Sequence, residues 1–247
     1  MLYYAALSKA GNRKCNEDFL RISSVSDRHC FVVCDGLGGH GYGDLAAQIA
    51  GNGFVDELYY CENMYSYLEG AFVKAQNKIM SRQKEKNLKN QMKTTVVCMA
   101  TDGEKVYVGH IGDSRFYGFT NDNNYIRTLD HSIPQILVQA KTIDEIQIRD
   151  HPNRNMLVRV MGEEWSESLY ELCEPFSLRN YRAFLLCTDG FWELIRENEM
   201  IFTLENSKTP KEWLDKMVEI VENKGENKKM DNYSAIAIFN SDIKNIQ

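Results

Sequence analysis

Residues 94–119 read TTVVCMATDGEKVYVGHIGDSRFYGF. Two β-prone runs, Thr94 to Ala100 and Lys105 to His110, flank Asp102-Gly103, a pair that supports a tight hairpin turn. A third run, Arg115 to Phe119, follows after only four residues, and a fourth, Tyr125 to Thr128, soon after. Such short connections suit antiparallel neighbours, whereas parallel strands need a crossover of a dozen or more residues.

The rest of the chain extends the pattern. Tyr3 to Ser8, Asp18 to Ser23 and His29 to Cys34 read as strands before this stretch; Glu167 to Cys173, Arg182 to Cys187 and Tyr233 to Phe239 read as strands after it. Apolar residues at helical spacing predict helices over Asp44 to Tyr60, Tyr65 to Gln83, Ile133 to Ala140, Ile143 to Arg149, Glu197 to Leu204 and Lys211 to Glu222. Thr209-Pro210 reads as an N-cap with proline in the first turn. Strands outnumber helices and the helices come in pairs, so the expected class is α+β, antiparallel sheets covered by helices. With four prolines and no Ser- or Gly-rich linker, one domain over residues 1–247 is the simplest organisation.

Composition narrows the function. A net charge of -6 argues against a nucleic-acid partner, which selects basic surfaces. No window approaches 18 uncharged apolar residues, and Met1 to Ala5 lacks the basic lead of a secretory signal, so neither a membrane span nor export is expected. The seven cysteines are irregularly spaced, without a Cys-x-x-Cys pair, and read as reduced core thiols of a cytoplasmic protein.

Aspartates recur at strand ends. Phe31 to Cys34 leads into Asp35-Gly36, Phe184 to Thr188 into Asp189-Gly190, and Val106 to Ile111 into Gly112-Asp113. Asp-Gly is also a plain turn signal. Three acids so placed at the edge of a core nonetheless repel, and a shared hard cation with oxygen ligands would resolve that. The glycine run Gly36 to Gly43 lacks the Gly-Lys-Ser/Thr of a nucleotide loop but would let the backbone approach a metal closely. Arg13, five residues before Asp18, suits either a surface ion pair or a two-pronged clamp on a phosphate.

The ordered set Arg13-x-x-Asn16-Glu17-Asp18, Asp35-Gly36-Leu37-Gly38-Gly39, Thr94-Thr95, Gly112-Asp113-Ser114-Arg115, Asp130-His131-Ser132, Thr188-Asp189-Gly190 and Asp231-Asn232 resembles the PP2C family of serine/threonine phosphatases, in its bacterial form, over about residues 3–239. The resemblance implies a four-layer αββα sandwich and hydrolysis of phosphoserine and phosphothreonine in proteins by a metal-activated water. It implies two Mn²⁺ or Mg²⁺ ions, with room for a third. Asp35 would bridge the pair; Asp189 and Asp231 would complete the first ion. The Gly36 carbonyl would reach the second, which Glu17 would hold through water. Asp18 would support the surrounding waters, Asp113 with Asp189 would take the third ion, and Arg13 would contact the substrate phosphate and not the metals. Partners would be phosphoproteins and a cognate serine/threonine kinase, with the enzyme itself a monomer.

Departures from the family pattern are Lys93 before Thr94-Thr95, Leu37 where some relatives carry a histidine, and Lys141 where glycine is common in the flap between Asp130 and Gly162. His40 reads as a loop residue. Two rivals are a phosphoprotein-binding pseudophosphatase, which would lack a metal aspartate, and a haloacid dehalogenase type, which needs an Asp-x-Asp strand end absent from Asp35-Gly36-Leu37.

Overall fold

The computed structural model describes residues 1–38, 41–61 and 63–241. Two antiparallel sheets pack face to face, each covered outside by helices. The first sheet has the order β1 (Leu2–Lys9), β11 (Tyr233–Asn240), β10 (Tyr181–Cys187), β6 (Arg115–Thr120), β7 (Tyr125–Arg127). The second has the order β2 (Asp18–Val25), β3 (Arg28–Asp35), β4 (Val96–Thr101), β5 (Lys105–Ile111), β8 (Glu171–Leu172), and β9 (Phe176–Ser177) also pairs with β5. Helices α1 (Gly43–Glu57) and α2 (Met64–Lys86) cover the second sheet; α3 (Ile133–Gln139) follows β7, and α5 (Glu197–Glu205) and α6 (Pro210–Gly225) cover the first sheet.

Period-two alternation of apolar residues builds this layering. On β3, Phe31 and Val33 enter the layer between the sheets, while Cys30, Val32 and Cys34 pack under α1 and α2. On β10, Phe184 and Leu186 face inward, while Ala183, Leu185 and Cys187 pack against Trp213, Leu214 and Met217 of α6. Both faces of the central strands are covered, so those strands read as continuous apolar runs.

Two expected elements are much shorter than their sequences promise. The helix expected over Ile143 to Arg149 is only a 3-10 turn, Glu145–Gln147. Arg149 instead reaches across to donate to the Trp192 and Ile195 carbonyls, and Pro152 follows closely. The strand expected over Glu167 to Cys173 is reduced to Glu171–Leu172. Upstream of it Tyr170 turns away from the ladder and stacks on Phe72 of α2, ring centroids 4.7 Å apart. The four-residue α4 (Asp189–Trp192) and β9 have no counterpart in the sequence reading.

The register brings every strand-end acid to one end of the sandwich. Asp18 opens β2 directly opposite Asp35, which closes β3. Cys187, closing β10, lies opposite Arg115 on β6 and Ala235 on β11, so Asp113, Asp189 and Asp231 leave from the same edge.

Candidate metal centre

Each acid is held by its own local frame. Asp35 sits in a hydroxyl lattice: its N–H donates to Thr95 Oγ1 (3.0 Å), and its carbonyl accepts from Thr94 Oγ1 and the Thr95 N–H (2.9 Å each). Thr95 Oγ1 in turn shares a 2.7 Å hydrogen bond with Ser114 Oγ, which joins the Asp35 strand to the turn bearing Asp113. Lys93 fits without disturbing this arrangement; its carbonyl accepts from the Leu37 N–H, and its ammonium pairs with Glu163 at 2.6 Å. Gly36 must be glycine, because a Cβ there would lie 2.5 Å from the Gly43 backbone and 2.6 Å from the Glu17 carbonyl oxygen.

The Asp113 turn rests on a buried pillar. Arg115 donates two parallel hydrogen bonds to Asp130 (2.7 and 2.6 Å) and lies over the Trp192 ring, 3.4 Å from its centroid. Trp192 Nε1 donates to the Asp113 carbonyl (2.9 Å), and His131 Nδ1 accepts from the Gly112 N–H (3.2 Å). Asn232 straps the N-terminal loop to the C-terminal strand. It accepts from the Glu17 N–H and donates to the carbonyls of Ala10 and Cys15. Thus Asp130, Thr94-Thr95, Ser114-Arg115 and Asn232, known from sequence only as motif letters, position the acids.

The structure collects Arg13, Glu17, Asp35, Gly36, Asp113, Asp189 and Asp231 around one cleft of about 450 Å³, also lined by Asn155 and Leu157. Asp18 lies buried next to it, taking a 2.9 Å hydrogen bond from Thr188 Oγ1. Burial, then repulsion from Asp189, pushes the Asp18 carboxyl up to about 7, against the pull of its hydrogen bonds. Burial, then Asp189, Asp18 and Asp113, pushes Asp35 well above the carboxylate range; burial, then Asp189 and Asp130, does the same to Asp113. Glu17 is raised by burial and by Asp44.

Arg13, expected to contact the substrate phosphate, lines the cleft and donates to Asp231 Oδ2 at 2.6 Å, with half its side chain exposed. The Asn232 strap holds its loop against Asp231, so the guanidinium meets the nearest carboxylate. The residue that sequence reasoning missed is Arg154. It is 10% exposed, donates to Asp189 Oδ2 at 3.0 Å, lies 4.0 Å from Asp113 Oδ2 and pairs through Nε with Glu193. Its partners lie 35 or more residues away in sequence, so no local signal marks it. His40 and Gly39 lie outside the described residues.

These residues fit divalent cations. Asp18 Oδ1 is a buried oxygen with no hydrogen-bond partner, and the Asp35 and Asp113 carboxyls are pushed up mainly by burial and one another's charge, a conflict that hard cations with oxygen ligands relieve.

A family model for protein phosphatase 2C matches residues 7–233. The serine/threonine phosphatase stp of Listeria innocua is 29% identical over 210 residues, 82% of each chain. The crystal structure of serine/threonine phosphatase Stp1 from Staphylococcus aureus superposes with a TM-score of 0.88 at 25% identity, covering 98% of this chain and 96% of that one. The catalytic domain of the phosphatase PstP, in complex with two manganese ions, superposes with a TM-score of 0.82 over 96% of this chain and 97% of that one; at 22% identity, that likeness shows the fold alone. The family match spans the stretch from the end of β1 to the start of β11, taking in every acid of the cleft, and the chain belongs to the protein phosphatase 2C family.

Proposed function

We propose that this chain is a metal-dependent phosphatase that hydrolyses phosphoserine and phosphothreonine in proteins. The observation that carries this reading is the meeting of Asp35, Asp113, Asp189 and Asp231 in one cleft with Arg13 at its rim. Asp35, Asp189, Asp231 and the Gly36 carbonyl would hold two Mn²⁺ or Mg²⁺ ions, with Glu17 and Asp18 acting through water and Asp113 with Asp189 taking a third. Such ions, when bound, neutralise charge on phosphoryl oxygens and supply a nucleophile at neutral pH. The protein's own part is to fix the acids before the substrate arrives and to present a guanidinium at the mouth. Arg13 can exchange its Asp231 partner for a phosphate, to which it can donate two parallel hydrogen bonds.

The cysteines are not all the core thiols expected, since Cys15 is exposed and lines the cleft, but the buried ones supply no thiol nucleophile: burial, then nearby acids, pushes the Cys34 thiol far up, and Cys187 is likewise raised by burial. Such thiols do not ionise near neutral pH. The seven free cysteines also support a reducing, cytoplasmic setting. No helix among the described residues is long and apolar enough to cross a membrane. We take residues 1–247 as one catalytic domain acting as a monomer on the products of a serine/threonine kinase. The inter-sheet layer, which draws on residues from Leu2 to Ile238, supports the single domain.

The test is hydrolysis of p-nitrophenyl phosphate and of a phosphothreonine peptide with Mn²⁺. Turnover should be lost in EDTA, restored by Mn²⁺ and largely kept after iodoacetamide. Peptide binding without turnover at saturating Mn²⁺ would mean a binding module instead, and turnover that survives EDTA but not iodoacetamide would defeat the metal reading.

A further inference from the structure

Away from the acid cleft, His110 of β5, His131 and Glu171 of β8 bring three ligand atoms within 4.8 Å of one another. His110 and Glu171 are direct cross-strand partners, so their side chains share a face of the sheet. Glu171 Oε2 lies 4.0 Å from His110 Nε2 and 3.5 Å from His131 Nε2, and the two imidazoles stack with centroids 4.6 Å apart. A second observation points to a ligand: His110 is 1% exposed, and neither of its ring nitrogens has a hydrogen-bond partner. A buried imidazole without a partner is costly to keep. Glu171 is half exposed, which opens the cluster to solvent.

The geometry points to a second kind of metal site, formed by His110, His131 and Glu171, that takes a borderline cation of the Zn²⁺ class with water as fourth ligand. Two imidazoles and one carboxylate are the donors that class selects, whereas the clustered acids of the cleft present oxygens and suit Mg²⁺ or Mn²⁺. Neither ring nitrogen of His110 is engaged by a hydrogen bond, so a lone pair is free to meet a cation. Asp130 and Glu171 are the negative groups that face that ring, and Arg159 is the positive one.

The site is coupled to the acid cleft through one proton. His131 Nδ1 accepts from the Gly112 N–H, so its ring proton sits on Nε2, toward Glu171. Ligation at Nε2 requires that proton to leave and Nδ1 to take one up, leaving the ring neutral overall. A protonated Nδ1 cannot accept from Gly112. The cation therefore releases the amide next to Asp113, and the turn carrying that acid loosens.

The probe is Co²⁺, added to protein already saturated with Mn²⁺. We expect one further equivalent to bind with the intense visible absorption of a four-coordinate, nitrogen-ligated ion. Glu171→Gln and His110→Gln should each weaken that binding by more than about 100-fold, the upper end of what losing an outer-shell partner costs. Glu171→Gln alters a half-exposed side chain and decides the matter if His110→Gln does not fold. Hydrogen exchange at the Gly112 amide should rise on Co²⁺ binding in the wild type. A faint spectrum typical of oxygen ligands, absorption indifferent to both substitutions, or an unchanged Gly112 amide in Co²⁺-loaded protein would each overturn the site. None of these readouts depends on turnover, so the result stands apart from the phosphatase reading.

Discussion

At the residue scale, two arginines share the acids of the cleft, and their environments separate their roles. Arg13 is half exposed and single-pronged on Asp231, whereas Arg154 is 10% exposed and sits among Asp113, Asp189 and Glu193. A charged hydrogen bond to substrate is worth about 1.5–3 kcal/mol. Arg13→Ala should therefore lower kcat/KM for a phosphopeptide by about 10- to 100-fold, with Arg13→Lys recovering only part. Because Arg13 competes for Asp231, Mn²⁺ affinity should not fall in either variant, which calorimetry can check. Unchanged kcat/KM in Arg13→Ala would reduce it to a surface ion pair. Arg154→Gln should act on metal and not on phosphate: removing a guanidinium from Asp189 should tighten the weakest Mn²⁺ site, measured by counting free Mn²⁺ in its spin-resonance signal. Weaker binding there would show that Arg154 helps to build the site instead of competing for it. Asp35, Asp113 and Asp189 were legible in sequence because each follows an apolar strand, whereas Glu17, Asp18 and Asp231 came only through the family motifs. Arg154 was not legible, because its partners come from α4, the residue after that helix and the Asp113 turn, distant in the chain. The Arg13 contact was hidden for the same reason, since Asp231 lies 218 residues away.

At the element scale, the central strands and the long helices were legible because burial on a pleated or helical surface leaves a period in the sequence. Between Asp130 and Gly162 the expected helix is present at Ile133–Gln139, but the rest was not legible, because side chains reaching across the molecule shape it. Arg149 draws one stretch toward Trp192 and Ile195, and Gln76 and Gln83 of α2 hold Gly162 through its N–H and its carbonyl. The departure at Lys141 has a local meaning: its φ is +57°, the left-handed backbone that glycine adopts freely. Lys141→Gly should thus stabilise the protein by about 1 kcal/mol, relieving the left-handed cost at that residue. A lower melting temperature in that variant would show that the lysine side chain makes up for its backbone. The pillar beneath Asp113 is more sensitive. Burial pushes Asp130 up, but the charge and hydrogen bonds of Arg115 outweigh it and hold Asp130 below its usual value. A depressed folded value means the stabilisation is full above the unfolded carboxylate value, about 3.9, and is lost as pH falls through the folded one. Asp130→Asn leaves Arg115 buried with its main partner gone, a change that typically costs about 3–5 kcal/mol. Urea titration at pH 7 should show that loss, and the gap between variant and wild type should narrow in strong acid.

At the scale of the whole molecule, the sandwich gathers its like charges at one end while the other forces that hold it are spread through three apolar layers. The β-strands can carry Asp18 and Asp35 opposite each other because the inter-sheet packing of Phe31, Val33, Phe184, Leu186, Ile236 and Ile238 fixes the register against their repulsion. Metal-free protein should therefore be folded but strained at that end. Two consequences can be measured on one set of melting curves. Mn²⁺ at about 100 times its dissociation constant should stabilise the wild type by about 2.7 kcal/mol per independent site. For a chain of this size each kcal/mol raises the melting temperature by roughly 2–4 °C, so one site predicts a rise of about 5–10 °C. Asp35→Asn should shift in the opposite sense before any metal is added. Removing a carboxylate that Asp18, Asp113 and Asp189 all push toward protonation should raise the metal-free melting temperature. The same variant should lose most of the Mn²⁺-induced rise and nearly all turnover, and Asp189→Asn should likewise lose turnover. The pairing matters, because a variant that merely unfolded would lose activity with a lower melting temperature. If Asp35→Asn melted lower than wild type in EDTA, the carboxylate would be a structural support and not a strained metal ligand.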